Sequence, residues 1–311
     1  LLPDAVEGAT QEDMGTARVH YDRLDSDSSN TRIRLNSIAV KVNHDGDPAS
    51  AKEALVTYVR AGRMERVRGK AVILACWNMV IPYMMPELPK AQKEALAYGV
   101  KGPLVYTSVA IRNWRAFKKL GIANVASPTM FHESVSLTEA ATLGNLKHPQ
   151  SPDEPIALHL VKIMNVPGLP RREQHRAGRA QLLDITFEQF ERKIREQLAR
   201  ILGAGGFDPA RDIAGISVNR WPHGYAYTYN SLYDPMEWVF TETAERPCVV
   251  ARRPCGLVSI ANSDAWASPH TDAAFLKAHR AVPEVIEHRA FPFVHRAPPA
   301  ERVGGRKRRR G

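Results

Sequence analysis

The 311 residues carry 43 Lys and Arg against 33 Asp and Glu, a formal charge of +10, with 44% hydrophobic and 24% charged residues. That balance fits a folded globular chain rather than a disordered one. The longest apolar run, around 71–85, is interrupted by Asn78 and Pro82, so no stretch approaches the ~20 residues of a membrane span.

The length exceeds what one hydrophobic core usually occupies, and two interleaved domains are expected. Cys76, Cys248 and Cys255 make neither a disulfide framework nor a metal-ligand spacing, so no metal site is expected. Half of the excess charge sits in the last eleven residues, ERVGGRKRRRG, where six basic side chains face Glu301. Such a run is more often a solvated tail than a nucleic-acid arm, and residues 288–311 are expected to be a disordered basic tail without a nucleic-acid partner.

In chain order, residues 1–30 are polar and read as a short helix and a loop. Ile33, Leu35, Ile38, Val40 and Val42 alternate, predicting a strand with a bulge near Asn36–Ser37. Turn chemistry at 44–48 and at Ala61–Gly62–Arg63 separates it from strands over Leu55–Val59 and Met64–Gly69. This meander feeds into Ala71–Cys76, an apolar run suited to burial on both faces. Pro86–Pro89 opens a short helix that Gly99 is expected to close. Strands follow at Leu104–Ala110 and Ile156–Met164, with an amphipathic piece at Trp114–Leu120 between them. Thr186 and Gln189 form a capping box, and Phe190, Ile194, Leu198 and Ile201 recur at helical spacing until Gly203. Residues 100–235 therefore read as a mixed sheet with covering helices, an α+β unit inserted into an α/β one.

Two stretches carry chemistry. WPHGYAYTYNSLY at 221–233 packs five aromatics around Pro222 and Gly224, rings that attract amines and exclude water. Its structural alternative is a turn packed by its own rings, and His223 suits a hydrogen-bonded core position as well as an acid/base role. At 256–282, a buried strand from Gly256 to Ala261 ends in Asn262, Ser263 and Asp264. A helix capped by Thr271 or Asp272 then begins behind the Ser268–Pro269 break. Strand, acidic loop and helix start place a ligand beyond the strand's carboxyl end, where free helix N–H groups favour negative charge.

These segments, with VILACWNMVIPYMMPELPKAQKEALAYGVK at 72–101 and VNRWPHGYAYTYN at 218–230, resemble the flavin-dependent amine oxidase superfamily and, within it, the bacterial spermidine dehydrogenases. The resemblance covers roughly residues 1–285. It implies an α/β, Rossmann-like FAD/NAD(P)-binding flavoprotein fold of amine oxidase type. No G-x-G-x-x-G follows a strand here, and Gly203–Gly206 follows a helix, so the N-terminal dinucleotide-binding βαβ unit is expected to be lacking. The chain then corresponds to the C-terminal half of such a protein. The division implied is a flavin-domain portion with the meander over 1–99, a substrate-binding domain over 100–235, and the C-terminal flavin-binding strand and helix over 236–287.

The resemblance further implies FAD as cofactor, held by Ser263, Asp264, Thr271, Asp272 and Ala273. Trp221 and Tyr225 stand at the catalytic face, and Glu133 and Tyr227 are the substrate-binding candidates. Residues 138–149, TEAATLGNLKHP, depart from the family pattern beside Glu133. Some members carry haem, which no axial-ligand spacing here supports or excludes. The implied reaction is oxidation of the C–N bond of an amine, with a polyamine such as spermidine as the small-molecule substrate. Rival readings are a flavin-superfamily oxidoreductase with a different substrate, such as an isoprenoid or an amino acid, and a truncated non-catalytic fragment. Oligomeric state stays open.

Overall fold

A computed structural model describes residues 4–290 apart from 9, 140 and 145. After the short helix Gln11–Thr16, three antiparallel strands form a meander: β1 (Ser37–His44), β2 (Ala54–Arg60) and β3 (Arg63–Gly69). Ala61 and Gly62 both have positive φ (47° and 74°), the two-residue turn whose twist matches the strands it joins. The alternation at Ile33 and Leu35 does not become strand. Both side chains stay exposed, Asn36 turns the chain at φ 54°, and the ladder irregularity falls later, between Ala39 and Lys41. β4 (Val72–Leu74) is shorter than the apolar run that encodes it, and only Leu74 is buried while Ile73 is exposed.

Helix α1 (Lys90–Leu96) starts at an N-cap Pro89 and ends at Ala97, so Gly99 does not close it. Instead a Cβ at Gly99 would lie 3.3 Å from Cβ of Tyr227, and the glycine admits that ring-bearing loop.

Next comes the largest sheet: β5 (Leu104–Ile111), then helix α2 (Arg115–Leu120), β6 (Asn124–Ala126), β7 (Ser134–Leu137), β8 (Ile156–Ile163), and, after two long helices and the single turn Pro209–Asp212, β9 (Ile213–Trp221). The five strands lie in the order β6-β7-β8-β5-β9, all antiparallel. The two helices are α3 (Arg171–Asp184) and α4 (Phe187–Leu202), and the expected capping box of Thr186 and Gln189 is present at the start of α4. Phe190, Ile194, Leu198 and Leu202 line the buried face of α4. They pack on Val105, Val109, Leu158 and Leu160, which share one face of the sheet. α3 comes close because Gly178 sits against the Met164 carbonyl, where a Cβ would approach to 2.0 Å.

The chain closes with α5 (Pro247–Ala251), β10 (Val258–Ile260), a 3-10 turn at Ser263–Ala265 and α6 (Thr271–Ala290). β10 pairs in parallel with β4, a mixed α/β arrangement that joins the chain's beginning to its end. α6 runs on to Ala290, three residues into the stretch expected as tail; residues 291–311 lie outside the described residues. No helix among the described residues is long and apolar enough to cross a membrane.

Candidate functional site: the crevice beyond two parallel strand ends

Because β4 and β10 run parallel, with Val72, Ile73 and Leu74 opposite Val258, Ser259 and Ile260, their carboxyl ends open on the same side. Cys76–Trp77–Asn78 leaves one end and Asn262–Ser263–Asp264 the other. Asn262 ties them together. Its amide donates to the Cys76 carbonyl at 2.5 Å and to Asn78 Oδ1 at 2.8 Å, while its Oδ1 accepts from the Ala265 N–H at 2.8 Å. Asn262, not Asp264, therefore caps the turn.

Asp264 reaches across instead: its Oδ2 accepts from the Asn78 N–H at 3.1 Å, over 186 residues of sequence. Its Oδ1 lies 3.2 Å from Lys101 Nζ but makes no hydrogen bond, and it is buried. Two further buried polar atoms without partners stand close by, Trp77 Nε1 and His223 Nδ1. The Trp77 and His223 rings lie 4.0 Å apart at 37°. Burial lowers the His223 pKa, and the Arg179 and Lys101 charges push it further down, so the imidazole is neutral at neutral pH. Lys101 thus faces Asp264 at 3.2 Å and also acts on His223, whose ring meets that of Trp77.

The turn ends at Ala267, a non-glycine residue at φ 58° that is nevertheless buried. Strain of that kind is held by its surroundings. Between Ala267, Asp264, Asn78, Gly99, Tyr227 and Cys248 lies a cavity of about 20 Å3, room for one water. Ser263 is half-buried, and its carbonyl accepts from the N–H groups of Trp266 and Ser268. α6 packs behind this turn and on β10, burying Ala273 and leaving Thr271 and Asp272 exposed at its start.

The other candidates fall elsewhere. Trp221 ends β9 and Tyr225 follows it, both about half exposed. They border the sheet face opposite α3 and α4, which carries Tyr106, Ser108, His159, Ser217 and Asn219 in register. The Tyr225 hydroxyl meets that of Tyr106, whose ring stacks edge-on against His159 at 5.0 Å. Burial and this partner push the Tyr106 pKa up to about 12. The Tyr227 hydroxyl donates to Asp234, 3.1 Å from each carboxylate oxygen, and the Arg171 guanidinium covers its ring at 4.4 Å. Glu133 accepts from Lys162 Nζ at 2.6 Å and from the Ile163 N–H at 2.9 Å, so both oxygens are engaged within its own sheet. Among the described residues no group of three His, Cys, Asp or Glu side chains could hold a metal ion.

The strand end at 75–78 was expected near the dinucleotide, but Lys101 and the bracing roles of Asn78 and Asn262 were not legible. In sequence the two asparagines are strand breakers, and Lys101 is one of 43 basic residues.

A crevice of this kind, outside the carboxyl ends of parallel strands and backed by a helix, is where open α/β proteins bind cofactors. The sequence matches no family model and no curated protein. Solved structures do match. A mutant from a structure-based redesign of cofactor binding in putrescine oxidase superposes with a TM-score of 0.55 at 17% identity, over 81% of this chain and 49% of that one. The wild type bound to putrescine gives 0.50 and 17%, over 76% and 46%. Cyclohexylamine oxidase from Brevibacterium oxydans gives 0.50 and 13%, over 80% and 48%. The chain thus has a mixed α/β fold similar to part of these amine oxidase structures, and it spans about half their length.

Proposed function

We propose that this chain is part of an FAD-dependent oxidoreductase that oxidises the C–N bond of an amine, with a polyamine such as spermidine as the substrate class. The observation that supports it is the buried Oδ1 of Asp264 at the mouth of the β4/β10 crevice, which faces Lys101 Nζ at 3.2 Å but accepts no hydrogen bond. Lys101 offsets its charge but leaves it without a hydrogen bond, and a hydroxyl of a ribityl chain is a donor that would satisfy it. The donor set suits a flavin in other ways. Trp77 Nε1 offers an N–H to a ring acceptor, and the start of α6 at Thr271, Asp272 and Ala273 offers free backbone donors to developing negative charge. Ser263 lies beside Asp264 in the same turn. FAD, when bound, supplies the hydride acceptor for an amine carbon.

The chain's own residues do the rest. A substrate amine must be neutral to lose hydride, and the positive charges of Lys101 and Arg179, set around a neutral His223, disfavour a further ammonium. Trp221 and Tyr225 present aromatic surface for the substrate's carbon chain. We assign residues 1–99 and 236–287 to the cofactor side and 100–235 to the substrate side.

The engaged carboxylate of Glu133 favours a second reading, an amine or other substrate without a distal ammonium, because Lys162 already neutralises that side chain. Comparing diamines with monoamines as substrates of the complete FAD-loaded protein separates the two.

The assignment is tested by flavin fluorescence. The 311 residues contain no G-x-G-x-x-G after a strand, so the chain alone is expected to bind FAD weakly; protein that stays yellow through dialysis contradicts this. Asp264→Ala removes a charge-assisted hydrogen bond worth about 1.5–3 kcal/mol, a further roughly ten- to hundred-fold loss of affinity. An equal loss of thermal stability with and without FAD would defeat the reading.

A further inference from the structure

α6 buries one residue per turn, Ala273, Lys277, Ala281 and Val285, and the second of these is a lysine only 4% exposed. Its ammonium lies 3.6 Å from the centre of the Trp266 ring and 3.9 Å from a Glu242 carboxylate oxygen that Arg252 already holds. The groups facing it come from every neighbouring element: Cys248 and Arg252 from α5 and its end, Glu242 from the segment before α5, Trp266 from the turn after β10, and Arg280 and Glu284 from α6 itself. Glu284 is also taken, paired with Arg280 and accepting from the Ser259 hydroxyl at 2.5 Å. Three cations thus share two carboxylates in the seam between α6 and β10.

We propose that Lys277 is a positioning residue whose loss of a proton seats α6 on β10, so that the helix start at Thr271–Ala273 is held firmly behind the Asn262–Asp264 turn only when Lys277 is neutral. The ring of Trp266 favours the charged amine, but burial opposes it more strongly, and Arg252 and Arg280 add to that opposition. The pKa falls from 10.5 to about 7. Because the folded value lies below the unfolded one, the unfolded chain holds the extra proton between those limits. Stability of the seam therefore rises as pH climbs from about 7 toward 10.5 and is lost on acidification. Neutral Lys277 leaves two cations matched by two carboxylates. The consequence for a cofactor rests on the function proposed above; the seating of the helix does not.

Amide hydrogen exchange of the 311-residue chain without FAD tests it, each rate being corrected for the intrinsic effect of pH. Protection over 271–287 should rise at least tenfold between pH 6.5 and 9.5, while α4, whose buried face holds no lysine, should stay constant. Lys277→Met, which keeps the aliphatic stem and cannot be charged, should show the high protection at both pH values. A flat wild-type profile over 271–287 overturns the proposal, even if the variant fails to fold. So does a Lys277→Met profile that keeps the wild-type dependence. FAD titrations at both pH values then address the linkage separately: pH-independent affinity with pH-dependent exchange would sink the cofactor reading and leave the switch standing.

Discussion

The five-stranded sheet with α3 and α4 and the strand-end region around β4, β10 and α6 are built on opposite plans. In the first, ladders of eight paired residues join β5 to both β8 and β9, and one contiguous core fills the space beneath α4. In the second, two three-residue strands pair in parallel, and side-chain amides bridge what the ladder cannot reach. α6 adds to the contrast. Besides its buried stripe it carries Phe275, Val282 and Ile286 at 72%, 47% and 54% exposure, which lie on one side of the helix. Only the stripe side is covered among the described residues. The first region completes its own core. The second concentrates unpaired polar atoms, a left-handed alanine and a buried lysine, features that stable scaffolding avoids and binding sites keep.

If the five-stranded unit is the self-sufficient one, damage to its core should be global. Phe190→Ala, at a side chain 1% exposed, is expected to cost about 3–5 kcal/mol in urea unfolding and to lower both regions together. Survival of the β5–β8 exchange protection in that variant would show that the core is not its source of stability.

Asn262→Ala probes the other plan. It removes three hydrogen bonds of 2.5–2.8 Å, about 2–3 kcal/mol. The loss should be local, with faster exchange over 75–79 and 262–268 and little change in β5 or β8. A uniform loss would mean the two regions melt as one.

The regions should also answer pH in different ranges. His132 is fully buried between Thr107 and Gln197 in the five-stranded unit, and burial depresses its pKa to about 4. The folded value lies below the unfolded one, so stability present above pH 6.5 is lost as pH falls toward 4. That loss is about 1–3 kcal/mol, and His132→Gln should flatten it; matching wild-type and variant urea midpoints at pH 4.5 and 7.5 would refute this. The Lys277 seam should instead change above neutrality. The smallest effect is at the α4 cap, where Thr186→Ala should cost about 1 kcal/mol as a lower melting temperature with no change in the strand-end exchange.

Much of the architecture is legible in the sequence itself. The Thr186–Gln189 box and the stripe from Phe190 to Leu198 encode α4 through contacts three and four residues apart. Ala61–Gly62 encodes the β2–β3 hairpin, and the apolar run before Asn262 encodes β10. The breakers at Ser268–Pro269 announced the helix behind the acidic turn, although Thr271 and Asp272 lie within its first turn rather than before it as caps. Each is a local signal, set by backbone sterics and periodic burial within about a dozen residues.

Tertiary structure alone decided what those pieces meet. It gave Asp264 the Asn78 N–H and Lys101 as neighbours, turned Asn262 from a strand breaker into a brace, and set Trp77 against His223. It occupied Glu133 with Lys162 and Tyr227 with Asp234 and Arg171. It also buried Lys277, whose place on a small-residue helix gave no hint of a charged seam. The reason is separation: pairings across 186 residues leave no period in the sequence, because they depend on two strands finding a common register and not on any spacing along the chain.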